Sequence, residues 1–494
     1  MKKILVISII FSTGFITSCK KAIEAEPVSS ITAGSFWKKQ DDVTGGLRGM
    51  YLQLRGSSTT AGATSDLFFL GEGRSEVLTS ATAGTTGLDK YYNNTLSVTD
   101  PGPNWIQFYS TINAANLLIK YVPAISFNSE DAKNSALAQA YTMRAFVYFV
   151  LARSWGGVPI RTEPTESYDP MTIQVARSSV QDVFKLVKDD LEKAITLYPN
   201  NNIDAGRTGW NKPAANALKG DVYLWTGKVL NGGTADFTTA LSALTAAQTS
   251  TAQLLPNYSD IFNYTNKTNA EVMMAVRFQL NDIASSNYWA NMYVSTLSNV
   301  PAATTAFVGA LGVGNTGNNI MQITQAVRDQ FTTDDQRRAG TFFEIYDNAS
   351  KYVTSISTKG AGVVNGGVRS FFTDVILYRY ADVLLMKAEA KNALGQDPST
   401  EINLVRQRAY GANYSNHIFL NGSKDQNDVA ILKERLLELA TEGKRWWDLV
   451  RFGQAFKLVP SLQGKESQTH LLLFPVGQTI RSLEPLVTET PGWQ

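Results

Sequence analysis

Apolar residues recur at steps of three and four along much of this chain, the spacing that stacks side chains on one face of an α-helix. The clearest run is Leu137, Tyr141, Arg144, Tyr148, Leu151 and Trp155, which predicts one long helix stopping at Gly156-Gly157, with Pro159 beyond. From Val43, the positions Leu47, Met50, Tyr51 and Leu54 predict another helix, and Ile112, Ala115 and Leu118 predict a third from about Phe108 to Lys120. Further helices are expected over Ser178 to Leu197, Lys212 to Val229, Phe237 to Thr249, Val375 to Leu394 and Ser399 to Arg408. A last long helix carries the stripe Leu432, Leu436, Leu439, Gly443, Trp446 or Trp447 and Val450. On it, Glu438, Glu442 and Arg445 are spaced to pair along the helix, as structural residues that matter if they are buried in a network. Arg144 sits within an apolar stripe and is expected to be a buried guanidinium held by a carboxylate or by carbonyl groups. Small residues at Ala214, Ala215 and Ala217, and at Ala388, Ala390 and Ala393, predict closely packed helix pairs of tetratricopeptide-like type, although no clean repeat aligns.

Between these helices, residues 56–104, 284–320 and 347–370 are rich in Gly, Ser, Thr and Asn. Loops of this length inside a compact domain are usually functional or disordered, and they are expected to form an irregular face mounted on the helical scaffold.

The chain opens Met1-Lys2-Lys3, continues with an apolar block from Ile4 to Ile16, and reaches Thr17-Ser18-Cys19. The block is too short to span a bilayer, and this layout is that of a bacterial lipoprotein signal. Residues 1–18 are therefore expected to be cleaved, Cys19 to carry the lipid, and residues 19–34 to act as a tether. Each buried acyl methylene contributes about 0.8 kcal/mol, so several chains anchor stably. Past the signal, no run is apolar enough to cross a membrane.

Net charge +2 and 18% charged residues predict no basic groove and so no nucleic-acid partner. With the single cysteine spent on lipid, no thiol remains for a disulfide, metal or nucleophile. His417 and His470 stand alone, without metal-ligand spacing, and the chain has no Gly-x-Ser-x-Gly elbow. The adjacent pairs Asp41-Asp42 and Asp334-Asp335 read as solvated or capping residues. Gly312, Gly314 and Gly317 match a dinucleotide pattern but lie in an Asn- and Thr-rich stretch with no βαβ unit around it. No catalytic residue, metal or cofactor is expected.

Several ordered segments carry a family resemblance. They are Ser35-Phe36-Trp37 with Asp41-Asp42 and Tyr51; Trp105 with Tyr109 and Ile112 to Asn116; Arg144-Ala145-Phe146 with Tyr148 and Trp155 to Pro159; Arg379 to Leu385 with Ala388-Glu389-Ala390; Asn403 to Ala409; and Glu434 to Phe452. Together they resemble the SusD/RagB family of surface lipoproteins that cap TonB-dependent outer-membrane transporters. Thr441 stands where that family usually carries an aromatic residue, which is expected to loosen the local packing. The resemblance implies an all-α dominated SusD-like domain over residues 35–494, with tetratricopeptide-like helices as scaffold and ligand-binding loops at about 56–104 and 256–370. It also implies attachment to the outer membrane, display outside the cell, and a SusC-like β-barrel partner over which this chain closes as a lid. The segment Lys20 to Glu26 is only weakly acidic, so outer-leaflet display rests on the resemblance.

The ligand implied is an oligosaccharide, with a peptide as the RagB-like alternative and a surface glycosidase as a reading from another class. Sugar rings stack their C–H faces on aromatics, and their hydroxyls need polar side chains. Loop residues of both kinds are Trp289, Tyr288, Tyr293 and Asn291 in one segment, Tyr91, Tyr92 and Asn93 in another, and Arg74 in Gly71 to Glu76, which resembles the segment bordering the family's ligand groove. Trp289, between Tyr288 and Asn291, heads this set.

Overall fold

The computed structural model describes residues 36–56, 62–84, 87–167, 169, 173–249, 251–280, 287–294, 300–310 and 317–493. Residues 1–35, which include Cys19 and the expected signal, lie outside the described residues, as do Gly312 and Gly314. The long helices are α1 (Gln40–Arg55), α2 (Ile106–Tyr121), α3 (Glu130–Trp155), α4 (Val180–Leu197), α5 (Lys212–Val229), α6 (Gly233–Ala246), α7 (Tyr380–Ala393), α8 (Ser399–Tyr410), α9 (Lys424–Leu439) and the shorter α10 (Arg445–Arg451). Helices α1 to α7 each pack on the next, and α7 then packs on both α8 and α9, so the scaffold is a serial stack of helix pairs.

Local chemistry sets the ends of these helices. The Ser129 hydroxyl accepts the Ala132 N–H at the start of α3, which stops at Gly156 with φ 75°. Asn211 caps α5, with Pro213 in its first turn, and Ser423 with Gln426 forms a capping box on α9. Side chains larger than hydrogen are excluded where α5 meets α6: a Cβ on Gly220 would lie 2.4 Å from Leu244. Arg144 on α3 ties three helices together. It makes a bidentate pair with Asp190 of α4 at 2.7 and 2.8 Å, and its other arm donates to Asn116 of α2 at 2.8 Å. The expectation of a buried, carboxylate-held guanidinium is met.

Two sequence-based boundaries are corrected. Residues Val375–Arg379 form a strand, β8, before α7 begins, because Val-Ile-Leu-Tyr-Arg is buried throughout and pairs antiparallel with β2 (Val272–Val276). The last long helix is two helices. Thr441 (φ 68°) and Gly443 (φ 73°) turn the chain in the left-handed region, and α10 restarts at Arg445. Glu438, Glu442 and Arg445 accordingly do not pair with one another. Glu438 binds Arg379 at 2.6 Å as well as Arg408, Glu442 binds Lys359 at 2.7 Å, and Arg445 reaches Glu76 at 2.6 Å. All of these are buried, or nearly so, and form the network in which such groups carry weight.

The remaining strands are β1 (Leu78–Ser80), β3 (Met321–Ile323), β4 (Phe342–Tyr346), β5 (Tyr352–Ser357), β6 (Val363–Asn365) and β7 (Val368–Ser370). They pair antiparallel as β1–β3, β4–β5 and β6–β7. The stretch 347–370 thus contains strands rather than only loop. Among the described residues, no helix is long and apolar enough to cross a membrane.

Candidate functional site

The strand pairs assemble one polar and aromatic face. Gln322 on β3 donates to the Ser80 carbonyl of β1 at 2.8 Å, and its side-chain oxygen accepts from the Tyr352 hydroxyl of β5 at 2.5 Å. Tyr352 meets Tyr346 edge to face at 5.9 Å across the hairpin turn. Along β4, Phe342 and Ile345 turn inward, whereas Phe343 and Glu344 are half-buried and Tyr346 is 38% exposed.

Beside β4 lies a cleft of about 640 Å³, lined by Thr333, Asp334, Arg338, Phe343, Glu344 and Tyr346 among others. Phe307, 40% exposed, stacks on Phe343 with centroids 4.0 Å apart. Glu344 is clamped by Arg328 at 2.9 Å and Arg338 at 2.5 Å, and it also accepts from the Tyr346 hydroxyl at 3.3 Å. Burial and the adjacent Glu344 push the Tyr346 phenol up, so it stays a donor. Asp334 accepts from Thr332 at 2.6 Å and meets His417 Nε2 at 2.8 Å, and these bonds hold its carboxyl below the usual range. His417 stacks on Tyr410 at 3.6 Å. Asp335 faces inward instead, capping the short helix Gln336–Thr341. Among the described residues, no His, Asp or Glu cluster converges as a metal site.

Most of the site residues expected from sequence are elsewhere, and buried. Trp289 and Tyr288 are each 3% exposed. Tyr288 stacks on Phe68 at 4.4 Å, and Trp289 is covered by Gly360, whose Cβ position would lie 2.2 Å from the indole. Tyr293 packs against Phe371 and under Arg369. Tyr91 stacks on Phe69 at 4.7 Å, and the Tyr92 hydroxyl bonds Ser80 at 2.7 Å. Arg74 is fully buried, bonded to Asn94 at 2.7 Å and to the Leu473 carbonyl at 3.0 Å, over the Trp446 ring. These side chains pin loops to the core, as aromatics in a long loop must when their hydrophobic area is to leave water. Asn291 and Asn93 alone of the set reach solvent, and Asn291 bonds Asn318 at 2.8 Å. Apart from Asp334, read as solvated or capping, the cleft residues went unnoticed in the sequence. The available signal was the aromatic-rich run Phe342 to Tyr346, followed across an Asp-Asn turn by the β-branched run Tyr352 to Ser357.

Comparison with known proteins agrees with the architecture. A SusD family model matches residues 351–471, and a second model, described as starch-binding associating with outer membrane, matches residues 60–224. A SusD-like protein of Formosa agariphila is 29% identical, covering 94% of this chain and 95% of its own. The structure of B. fragilis NanU superposes with TM-score 0.83 at 30% identity, covering 95% of this chain and all of that one. A SusD superfamily protein from Bacteroides vulgatus gives 0.79 at 27%, covering 93% of this chain and 100% of that one. Helix stack, strand pairs and sequence together place the chain in the SusD family.

Proposed function

We propose that this protein captures an oligosaccharide outside the cell and, tethered through Cys19 to the outer membrane, closes as a lid over a SusC-like TonB-dependent barrel. The observation that carries the ligand reading is a 640 Å³ cleft lined by Phe343, Tyr346 and the Arg338–Glu344 pair, with the exposed Phe307 stacked on Phe343. Aromatic faces suit the C–H patches of a sugar, and the adjoining guanidinium, carboxylate and phenol suit its hydroxyls. The name of one matching family model, starch-binding associating with outer membrane, supports the same reading.

Binding without chemistry fits the carboxylates. A glycosidase needs one carboxyl kept as an acid, with its pKa raised. Asp334 is shifted the other way, and Glu344 sits between two guanidiniums.

Isothermal titration of the protein against parallel panels of oligosaccharides and short peptides tests this reading, with Tyr346→Ala and Phe307→Ala as controls. Saturable glycan binding that weakens in both variants is expected. Peptide binding with no glycan response would replace the ligand class, and glycan turnover would replace the mechanism. Co-purification from native membranes with a large β-barrel is the expected result for the lid role.

A further inference from the structure

Beside the break between α9 and α10 lies a cavity of about 30 Å³, walled by Leu67, Phe68, Phe146, Leu377 and Trp447, with Arg153 among its lining. Arg153 stands in the last turn of α3 and is only 3% exposed. Its guanidinium lies against the Trp447 ring at 3.5 Å and the Phe149 ring at 4.1 Å, so its acceptors must be found at its edge. There it is short of them. Nη1 reaches Asp221 of α5 only at 3.4 Å, and Nε has no acceptor among the described residues. The Nε1–H of Trp447, stacked beside it, has none either.

Other buried arginines of the scaffold are held more closely. Arg144, Arg337, Arg379, Arg435 and Arg451 each have a carboxylate within 2.9 Å. Burial pushes all of these guanidiniums down, and in those five the carboxylates outweigh it. In Arg153 burial prevails over Asp221, and the group is held below its usual value. The carboxylates around the cavity are engaged elsewhere. Asp221 also accepts from Tyr378 at 3.0 Å and faces Arg451 at 3.6 Å. Both Glu442 oxygens accept from Arg379 at 2.8 Å, and one of them also from Lys359 at 2.7 Å. Glu72 is taken up by the N–H groups of the turn between α9 and α10. Lys444, the other cation of the lining, donates to the Leu377 carbonyl at 2.6 Å and meets Asp382 at 3.1 Å.

A buried N–H without an acceptor costs free energy, and a buried cation without a close counter-charge costs more. A polar cavity of this size has room for about one or two waters, or for one monatomic anion. The anion supplies both an acceptor for the two donors and the close negative charge that Asp221 does not. We infer that this cavity is a binding site for a single halide-class anion such as chloride, held between α3 and α10 by Arg153 Nε and Trp447 Nε1. It shares no lining residue with the β4 cleft.

Crystals of the full-length protein transferred into a series of bromide concentrations test this, because anomalous scattering tells bromide from water. A bromide peak within hydrogen-bond reach of Arg153 Nε is expected, at half occupancy by about 50 mM. Trp447→Phe keeps a ring against Arg153 and removes the N–H, so it should raise the half-saturating concentration by about threefold or more. Arg153→Met should abolish the peak, and if that variant does not fold, the wild-type and Trp447→Phe maps decide alone. Bromide found only on the surface, a cavity density with no anomalous signal, or a peak indifferent to Trp447→Phe would each overturn the inference.

Discussion

Glu72 and Gly443, 371 positions apart in the chain, meet where the last long helix breaks, and the Glu72 carboxylate accepts the Gly443 N–H at 3.1 Å. The same carboxylate accepts the N–H groups of Thr441 at 2.8 Å, Lys444 at 3.1 Å and Arg445 at 3.3 Å. These are donors that the break leaves without helical partners. Glu72 is fully buried in the π-helical turn Phe69–Gly73, so one buried side chain replaces a turn of helix.

Replacing Glu72 by Ala strands several buried N–H groups together. Each unsatisfied buried donor costs about 1–3 kcal/mol, so a loss of at least about 3 kcal/mol is expected in urea denaturation. Glu72→Gln keeps one acceptor oxygen and should fall between wild type and Ala. A loss below about 1 kcal/mol for Glu72→Ala would mean that the packing of Gly443 alone holds the break.

Arg144 reads out the difference between breaking a buried pair and removing it. Arg144→Met leaves Asp190 buried and unpaired, with about 3–5 kcal/mol of destabilisation expected. The double variant Arg144→Met with Asp190→Leu should recover much of that loss, measured by the same denaturation. Arg144→Lys cannot reproduce the bidentate fork and should also destabilise.

Trp289 and Tyr346 should separate stability from binding. Trp289→Ala opens a core cavity and should lose about 3–5 kcal/mol. Tyr346→Ala should leave the unfolding transition nearly unchanged and weaken oligosaccharide binding by about tenfold, as loss of an exposed contact at a binding surface does. The reverse pattern would return the binding site to the segment around Trp289.

Acid should unfold the scaffold through its buried carboxylates. Burial pushes the Glu389 carboxyl up, but Arg451 and Lys228 outweigh it and hold the group down at about 2. Asp382, Glu438 and Glu442 are shifted downward for the same reason, by Lys444 with Arg435 for Asp382, by Arg408, Arg379 and Arg337 for Glu438, and by Arg379 with Lys359 for Glu442. A folded-state pKa below the unfolded one stabilises above the unfolded value and ceases to do so as pH falls through the folded one. The contribution of these four carboxylates is therefore expected to be full above about pH 5 and to drop from there toward pH 2, by about 3 kcal/mol from Glu389 alone. A denaturant midpoint that stays constant down to pH 3 would contradict this.

How much was legible varies with the range of the interaction concerned. The α3 stripe from Leu137 to Trp155 and its stop at Gly156 were read correctly because periodicity, caps and glycine stops act within a few residues. The break at Thr441 was not legible. The apolar stripe continues in register through it, and what permits it is a carboxylate from the other end of the chain. Val375 to Arg379 scanned as helix because a short apolar run suits either element, and only pairing with β2 decided it.

Sequence alone therefore determined the helical class, the family, and the burial of Arg144 in an apolar stripe, since these follow from local spacing and from signature residues in order. Tertiary structure decided which aromatics face solvent. Composition names Trp289 and Tyr346 as equally able to stack on a sugar, but covering one and baring the other depends on partners distant in sequence. Gly360 approaches the Trp289 ring closely enough to seal it. The hairpin register of β4 on β5 turns Tyr346 outward beside Glu344 and Arg338. Hydrophobicity sets the tendency of a side chain to leave water, and the fold sets which surfaces are left to receive it.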